Sequence, residues 1–334
     1  MTAVTIVMYH YVRPREGGRY LGLKVRSVEE FEGQLDYIVR HYQVCAMSDV
    51  IAAVHGREAL PSNACLLTFD DGFLDHYTVV FPRLVERGLP GSFYPPVAAI
   101  EGRHVLDTHK IQIILAVTTD HRALAQRLLA MVDEYRAEWT LPDAATLRAQ
   151  HMQPSRFDTP EVVLVKRLLQ RGLPGPVRAS LTQRLFEECV GVDEATVAGE
   201  LYMDLPQLRT MVRQGMEVGG HGATHVWLDS LAPVEQEDEI AKTAAFLQRV
   251  HGAPAADWVM CYPFGGYGAD TLRLLGQVRC ALGLTTRVDV ATDLGSPLEL
   301  PRLDTNDLPS VGTAPASAWT LRVADPLAAS GRKH

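Results

Sequence analysis

Apolar and polar positions follow two periods along this chain, and between about residues 105 and 213 only the helical one survives. Residues 4–12, mostly apolar, predict a strand with Val4, Ile6, Met8 and His10 on one face. Ser27-Val28-Glu29-Glu30 has the form of a capping box and opens a helix carrying Phe31, Leu35, Ile38 and Val39 on one side. A short helix over 48–54 and a Gly/Pro/Ser/Asn linker lead to Cys65-Leu66-Leu67-Thr68-Phe69, whose unbroken apolar run predicts a buried strand. Residues 77–86 predict a helix stopped by Gly88 and Pro90, and Gly91-Ser92-Phe93-Tyr94 a strand closed by Pro95-Pro96.

The middle block carries helical periodicities at 111–117, 124–132, 162–169, 177–185 and 208–212, without a strand signal. It reads as a large helical insertion. Strand–helix alternation then returns. Strands are expected at 216–220, 258–262, 281–284, 288–291 and 300–304, and helices at 234–250, with an acidic start suited to the helix dipole, and at 269–278. Residues 311–334, rich in Ala, Pro and Ser, predict a flexible tail. Alternating strands and helices imply an α/β fold, one domain over 1–310 with a mostly parallel sheet and helices outside.

Composition narrows the function classes. Of 334 residues, 47% are hydrophobic and 22% charged, enough for a sizeable core. A net charge of -8 and the lack of a long Lys/Arg run speak against a nucleic-acid surface. No run approaches transmembrane length, and the start lacks a basic leader, so a cytoplasmic location is expected. The five cysteines, odd in number and scattered in apolar segments, suit reduced buried thiols.

Several predicted strands end in polar residues followed by Gly or Pro, which is where β/α folds gather their chemistry. At one such end, Asp70-Asp71-Gly72 puts two carboxylates near one volume, where they repel unless a proton or a cation separates them. At another, His221-Gly222-Ala223-Thr224-His225 spaces two imidazoles so that a helical turn would present both to one cation. Adding one carboxylate gives three protein ligands with a fourth position open. The other carboxylate stays free as a base. The spacing does not choose between the two.

These residues, with Tyr262-Pro263-Phe264-Gly265, resemble in content and order the first three motifs of the NodB-homology polysaccharide deacetylases, carbohydrate esterase family 4. The resemblance covers roughly the first hundred residues and the stretch from about 216 to 307, and the Met8-Tyr9-His10 start resembles the branch with an N-terminal Met-Tyr-His motif. It implies a distorted (β/α)7 barrel and metal-dependent removal of an acetyl group from an N-acetylated sugar. Asp71, His221 and His225 would be the metal ligands and Asp70 the general base. The Phe264 N–H would bind the oxyanion, and Tyr262, Pro263 and Phe264 would wall the acetyl pocket. Zinc suits two imidazoles and a carboxylate, with cobalt, nickel and manganese compatible by ligand type.

The chain departs from the family pattern in two places. Cys261 stands where many members have an arginine, and no late histidine supplies the catalytic acid. Arg302 is expected to bring the missing positive charge to Asp70, and His10 to serve as the acid. Asp304 and Trp227 are further substrate-binding candidates. The expected substrate is an N-acetylated sugar carried as a nucleotide, lipid or small-molecule conjugate. The alternatives are an O-acetyl esterase, another C–N hydrolase on the same barrel, and a non-catalytic glycan-binding protein.

Overall fold

The computed structural model describes residues 3–324 except 17, 154, 156, 157 and 255. The chain divides into two compact units. The first takes the chain up to Pro14, from Val25 to His104 and from Ala198 onward; the second comprises Arg15–Lys24 and Val105–Val197.

Among the described residues, eight strands lie in the first unit: β1 (Val4–Tyr9), β2 (Gln43–Val44), β3 (Ala64–Asp70), β4 (Ser92–Tyr94), β5 (Glu217–Val218), β6 (Val259–Cys261), β7 (Leu282–Leu284) and β8 (Leu303–Asp304). A parallel sheet runs β5-β4-β3-β1-β8, with β2 alongside the start of β3, while β6 and β7 form a separate parallel pair. Two parallel one-residue bridges, Gly220 to Met260 and Leu284 to Leu300, join that pair to the sheet on both sides. Seven strands therefore follow one another around a ring, closed at two places by single bridges. This is the α/β fold with a parallel sheet that the alternation predicts, with the irregular closure of a distorted barrel.

Both faces of the ring are buried, which explains why its strands read as unbroken apolar runs. Val4, Ile6, Leu66, Tyr94, Val259, Cys261, Leu282 and Leu284 form an inner cluster. Their neighbours Val7, Tyr9, Leu67, Phe69, Phe93 and Met260 pack outward with Phe31, Leu35 and Ile38 of the capped helix Val28–His41. The helix Met47–Val54 brings Met47 and Val50 to the inner cluster. β1 and β3 pair in register from Val4↔Ala64 to Tyr9↔Phe69, so His10 and Asp70 come next, side by side where the strands end.

Several expectations change. Residues 288–291 form no strand; Ala291 makes a single antiparallel bridge to Val4. Residues 76–86 split into a π-turn, His76–Val80, and a short helix, Phe81–Glu86. The helix Leu205–Arg213 belongs to the barrel unit, because Leu208 and Met211 enter its outer core, so the helical unit ends at Val197 and not 213. Periodicity alone cannot tell which core an apolar helix face meets. Within the expected tail, Ala318–Ala324 is helical, and the Thr320 hydroxyl lies 2.7 and 2.8 Å from the Tyr37 and Tyr42 hydroxyls. Residues 325–334 of that tail lie outside the described residues.

The second unit contains no strand among the described residues. Its longest helices, His121–Glu134 and Gly175–Val190, bury Leu128, Val132, Leu181, Leu185 and Phe186. Lys110, buried in this unit, is satisfied by Glu194 at 2.8 Å and Gln183 at 2.6 Å.

Candidate active site

β3 ends on Asp70, whose side chain shares the inner face with Thr68. Arg302, one residue before β8, grips it with two parallel bonds, Nη1 to Oδ1 at 2.9 Å and Nη2 to Oδ2 at 2.8 Å. The guanidinium also donates to Thr285 O (2.9 Å) and Thr68 Oγ1 (3.2 Å), and the Cys261 thiol donates to Asp70 Oδ2 (3.3 Å). Both partners of the pair are 1% exposed. Burial pushes the Asp70 carboxyl up, but Arg302 and then His221 outweigh it and bring it down to about 2. Asp70 is therefore an ionised acceptor. Arg302 supplies the charge that Cys261 cannot.

Asp71 would point to the opposite face if the strand continued. Instead Asp71 (φ 77°) and Gly72 (φ 69°) are both left-handed, and the turn brings the second carboxylate round to the same end of the ring. A Cβ at Gly72 would stand 2.7 Å from Pro95 Cβ, so only glycine fits. Asp71 Oδ1 lies 3.4 Å from His221 Nε2 and 3.2 Å from His225 Nε2.

His221 is held by the ring itself. Its Nδ1 donates to Cys261 O at 2.7 Å, which fixes the ring and turns Nε2 toward Asp71. Burial opposes charge on this imidazole, but Cys261 and Asp71 prevail and hold it well above the ordinary histidine range. The surroundings favour positive charge here. The expected helical turn from 221 to 225 is not formed. The segment is a loop with left-handed Gly222 (φ 72°) and His225 (φ 57°), and that reversal, not helical spacing, brings the second imidazole back to the first.

Asp71, His221 and His225 are all buried, with their donor atoms within 4.8 Å of one another. Two imidazoles and a carboxylate in that proximity fit a divalent cation. Asp70, His221 and Cys261 form a second such group, but there the carboxylate is already taken by Arg302.

The other expected residues divide. Phe264 (φ 58°) sets its ring edge-on to His225 at 4.7 Å, and Trp227 stacks on Phe264 at 4.8 Å, so both stand beside the dihistidine loop. Pro263 packs under it, 3.3 Å from where a Cβ on Gly222 would lie. His10 is half-buried and follows β1 in register beside Asp70 at the end of β3. Tyr262 is not brought to the site. It follows inward-facing Cys261, so it faces outward, stacks on Tyr267 and donates to Leu298 O at 2.8 Å. Asp304 is not brought there either, since its carboxylate caps the next turn by accepting from Asn306 N at 2.8 Å.

Two residues escaped the sequence reading. His76 is fully buried and holds the His10 carbonyl through Nε2 at 2.8 Å. Glu239 accepts from the loop between the two histidines. The signal for Glu239 was present: it is an acid on the buried face of its helix, beside Gln236, Ile240 and Thr243.

A ring of parallel strands with a buried Asp-His-His group and an arginine-held carboxylate at the strand ends defines a β/α barrel with a candidate metal centre. Residues 193–282 match the family model described as polysaccharide deacetylase. No curated protein sequence matches the chain. Among solved structures, a deacetylase, PplD, of Streptococcus pyogenes in complex with acetate is 16% identical, with a TM-score of 0.56 over 91% of this chain and 92% of that one. IcaB from Ammonifex degensii is 17% identical, with a TM-score of 0.55 over 97% and 98%. A de-N-acetylase from Aggregatibacter actinomycetemcomitans is 14% identical, with a TM-score of 0.53 over 91% and 95%. The fold is that of the polysaccharide deacetylases. Among the described residues no helix is long and apolar enough to cross a membrane.

Proposed function

We propose that this chain is a metal-dependent hydrolase that removes the acetyl group from the nitrogen of an amino sugar or its conjugate. The observation that carries the reading is the convergence of His221 Nε2 and His225 Nε2 on one oxygen of Asp71, beside an ionised Asp70. Asp71, His221 and His225 would hold the cation, with zinc the ion their ligand type suits best. When bound, the ion supplies Lewis acidity, polarising the acetyl carbonyl and acidifying a water.

The chain's own groups divide the remaining work. Asp70 is kept ionised by Arg302, so it can accept a proton from the attacking water but enters the reaction with none to give. A separate acid must protonate the leaving amine. His10, next to Asp70 in strand register and outside the cation ligands, is the group we assign to it. The backbone N–H of Phe264 is the oxyanion donor, while the Phe264 and Trp227 rings shape the wall near the acetyl group.

The test is acetate release from N-acetylglucosamine oligomers, nucleotide-linked N-acetylglucosamine and matched O-acetyl sugars, before and after chelator treatment and zinc restoration. Release from the N-acetyl substrates that falls with chelator and returns with zinc is expected. Purified protein without bound divalent ion, together with turnover that survives chelation, would sink the proposal. Turnover of only the O-acetyl sugars would replace it with an esterase.

A further inference from the structure

We infer that Glu239 is a positioning residue that sets the spacing of the two histidines. The inference rests on the reading that Asp71, His221 and His225 hold a cation. Glu239 lies on the helix Pro233–His251 and is only 6% exposed. A carboxylate so buried needs donors, and here all three come from the four-residue step between His221 and His225. Oε2 accepts from Ala223 N at 2.8 Å and Thr224 N at 3.0 Å, and Oε1 accepts from the Thr224 hydroxyl at 2.6 Å.

The loop depends on this anchor for a conformational reason. Both ends of the step are left-handed, at Gly222 and at His225, and His225 pays a steric penalty for it that glycine escapes. The carboxylate gathers two successive N–H groups, which favours the reversed loop over an extended one. The loop's carbonyls are held from the other side, with Val97 N donating to Gly222 O at 3.2 Å and Ala98 N to Ala223 O at 2.8 Å. Fixed from both sides, the loop leaves His225 Nε2 little choice but to face Asp71. Glu239 has no place among the candidate ligands or reacting groups and acts only through His225. Glutamine at 239 would remove the charge from three charge-assisted bonds and reverse the one to Thr224, whose hydroxyl would have to accept from the amide NH2.

The test is zinc affinity of metal-stripped wild type, Glu239→Gln and Thr224→Val, by competition with a chromophoric chelator, alongside urea unfolding of each apo protein. Glu239→Gln is expected to weaken zinc about 10- to 100-fold, as loss of a group that orients a ligand does. Thr224→Val keeps the shape and both N–H bonds, and is expected to weaken zinc about threefold or more through the lost hydroxyl bond. A purely structural role would lower the unfolding midpoint and leave the affinity of the folded protein unchanged. Wild-type affinity in both variants, or in Thr224→Val should Glu239→Gln fail to fold, overturns the inference and leaves the metal reading standing. A wild type that binds no zinc overturns both.

Discussion

Replacing Arg302 with methionine isolates the charge interaction that keeps Asp70 ionised. Methionine follows the apolar stem of arginine, so the change removes the guanidinium while limiting the cavity. What is lost are two charge-assisted bonds at 2.8 and 2.9 Å, plus those to Thr285 O and Thr68 Oγ1. What remains is a carboxylate 1% exposed, with a thiol 3.3 Å away as its remaining side-chain donor. Removing one partner of such a buried pair costs about 3–5 kcal/mol, mostly because the stranded charge cannot be rehydrated. Asp70→Asn strands the guanidinium instead and should cost a similar amount. The double variant strands neither charge, so its loss should fall short of the sum by about 2 kcal/mol or more. Urea unfolding of chelator-treated proteins at neutral pH measures all four corners of the cycle. Arg302→Met within about 1 kcal/mol of wild type, or losses that add to within about 0.5 kcal/mol, would refute the claim that this pair is what holds Asp70 ionised.

The other predictions address roles. Asp70→Asn should retain zinc by metal analysis yet lose about 100-fold or more in acetate release, whereas His221→Ala should lose both; equal metal loss would show the two carboxylates are assigned the wrong way round. His10→Ala should slow N-acetyl cleavage far more than cleavage of a matched ester, whose leaving group needs less protonation, and an equal effect on both removes His10 as the acid. Burial holds the His76 imidazole down at about 4, below its ordinary 6.5, so the unfolded chain takes up the proton first. Its contribution is complete above about pH 6.5 and lost as pH falls toward about 4, amounting to about 3 kcal/mol. Urea midpoints across that window should show the loss in wild type and a shallower slope in His76→Phe; an identical slope contradicts it.

How far the sequence could be read follows from what pattern records. β1 and β3 were legible because burial on both faces leaves an unbroken apolar run. β2, only two residues long, was too short to leave one. The candidate site residues were legible as types at strand ends, and Arg302 as a charge for Asp70. Their directions were less so. Tyr262 sits inside a recognisable motif, but strand parity turns it away once Cys261 faces inward. Asp304 begins Asp304-Thr305-Asn306-Asp307, which is also the signature of a capped turn, and the turn prevailed. The histidine spacing suggested a helical turn because i, i+4 is what helices bring together. A loop with reversed backbone at Gly222 and His225 reaches the same result, and side-chain spacing carries no trace of which is used.

That reversed backbone recurs across the site. Asp71, His225 and Phe264 come from three separate strand ends, and each has a positive φ without being glycine. Such residues cost of order 1–3 kcal/mol apiece and persist only where their surroundings over-determine them. Here the surroundings are visible: Asp71 N bonds Tyr94 O at 3.0 Å, Glu239 and the 97–98 amides clamp the loop before His225, and the Phe264 ring lies between His225 and Trp227. The strain aims side chains that ordinary strand geometry would send elsewhere. Asp71 makes the case, since without its turn the second carboxylate would face away from Asp70. The positions of the three candidate ligands are thus supported by the backbone around them. Metal-stripped protein should therefore keep its unfolding free energy within about 1 kcal/mol of the zinc form once the mass-action contribution of bound zinc is subtracted. Near-ultraviolet circular dichroism of the apo and zinc forms should superimpose. A large change in the aromatic signal on adding zinc would show that the ion, and not the backbone, organises this end of the barrel.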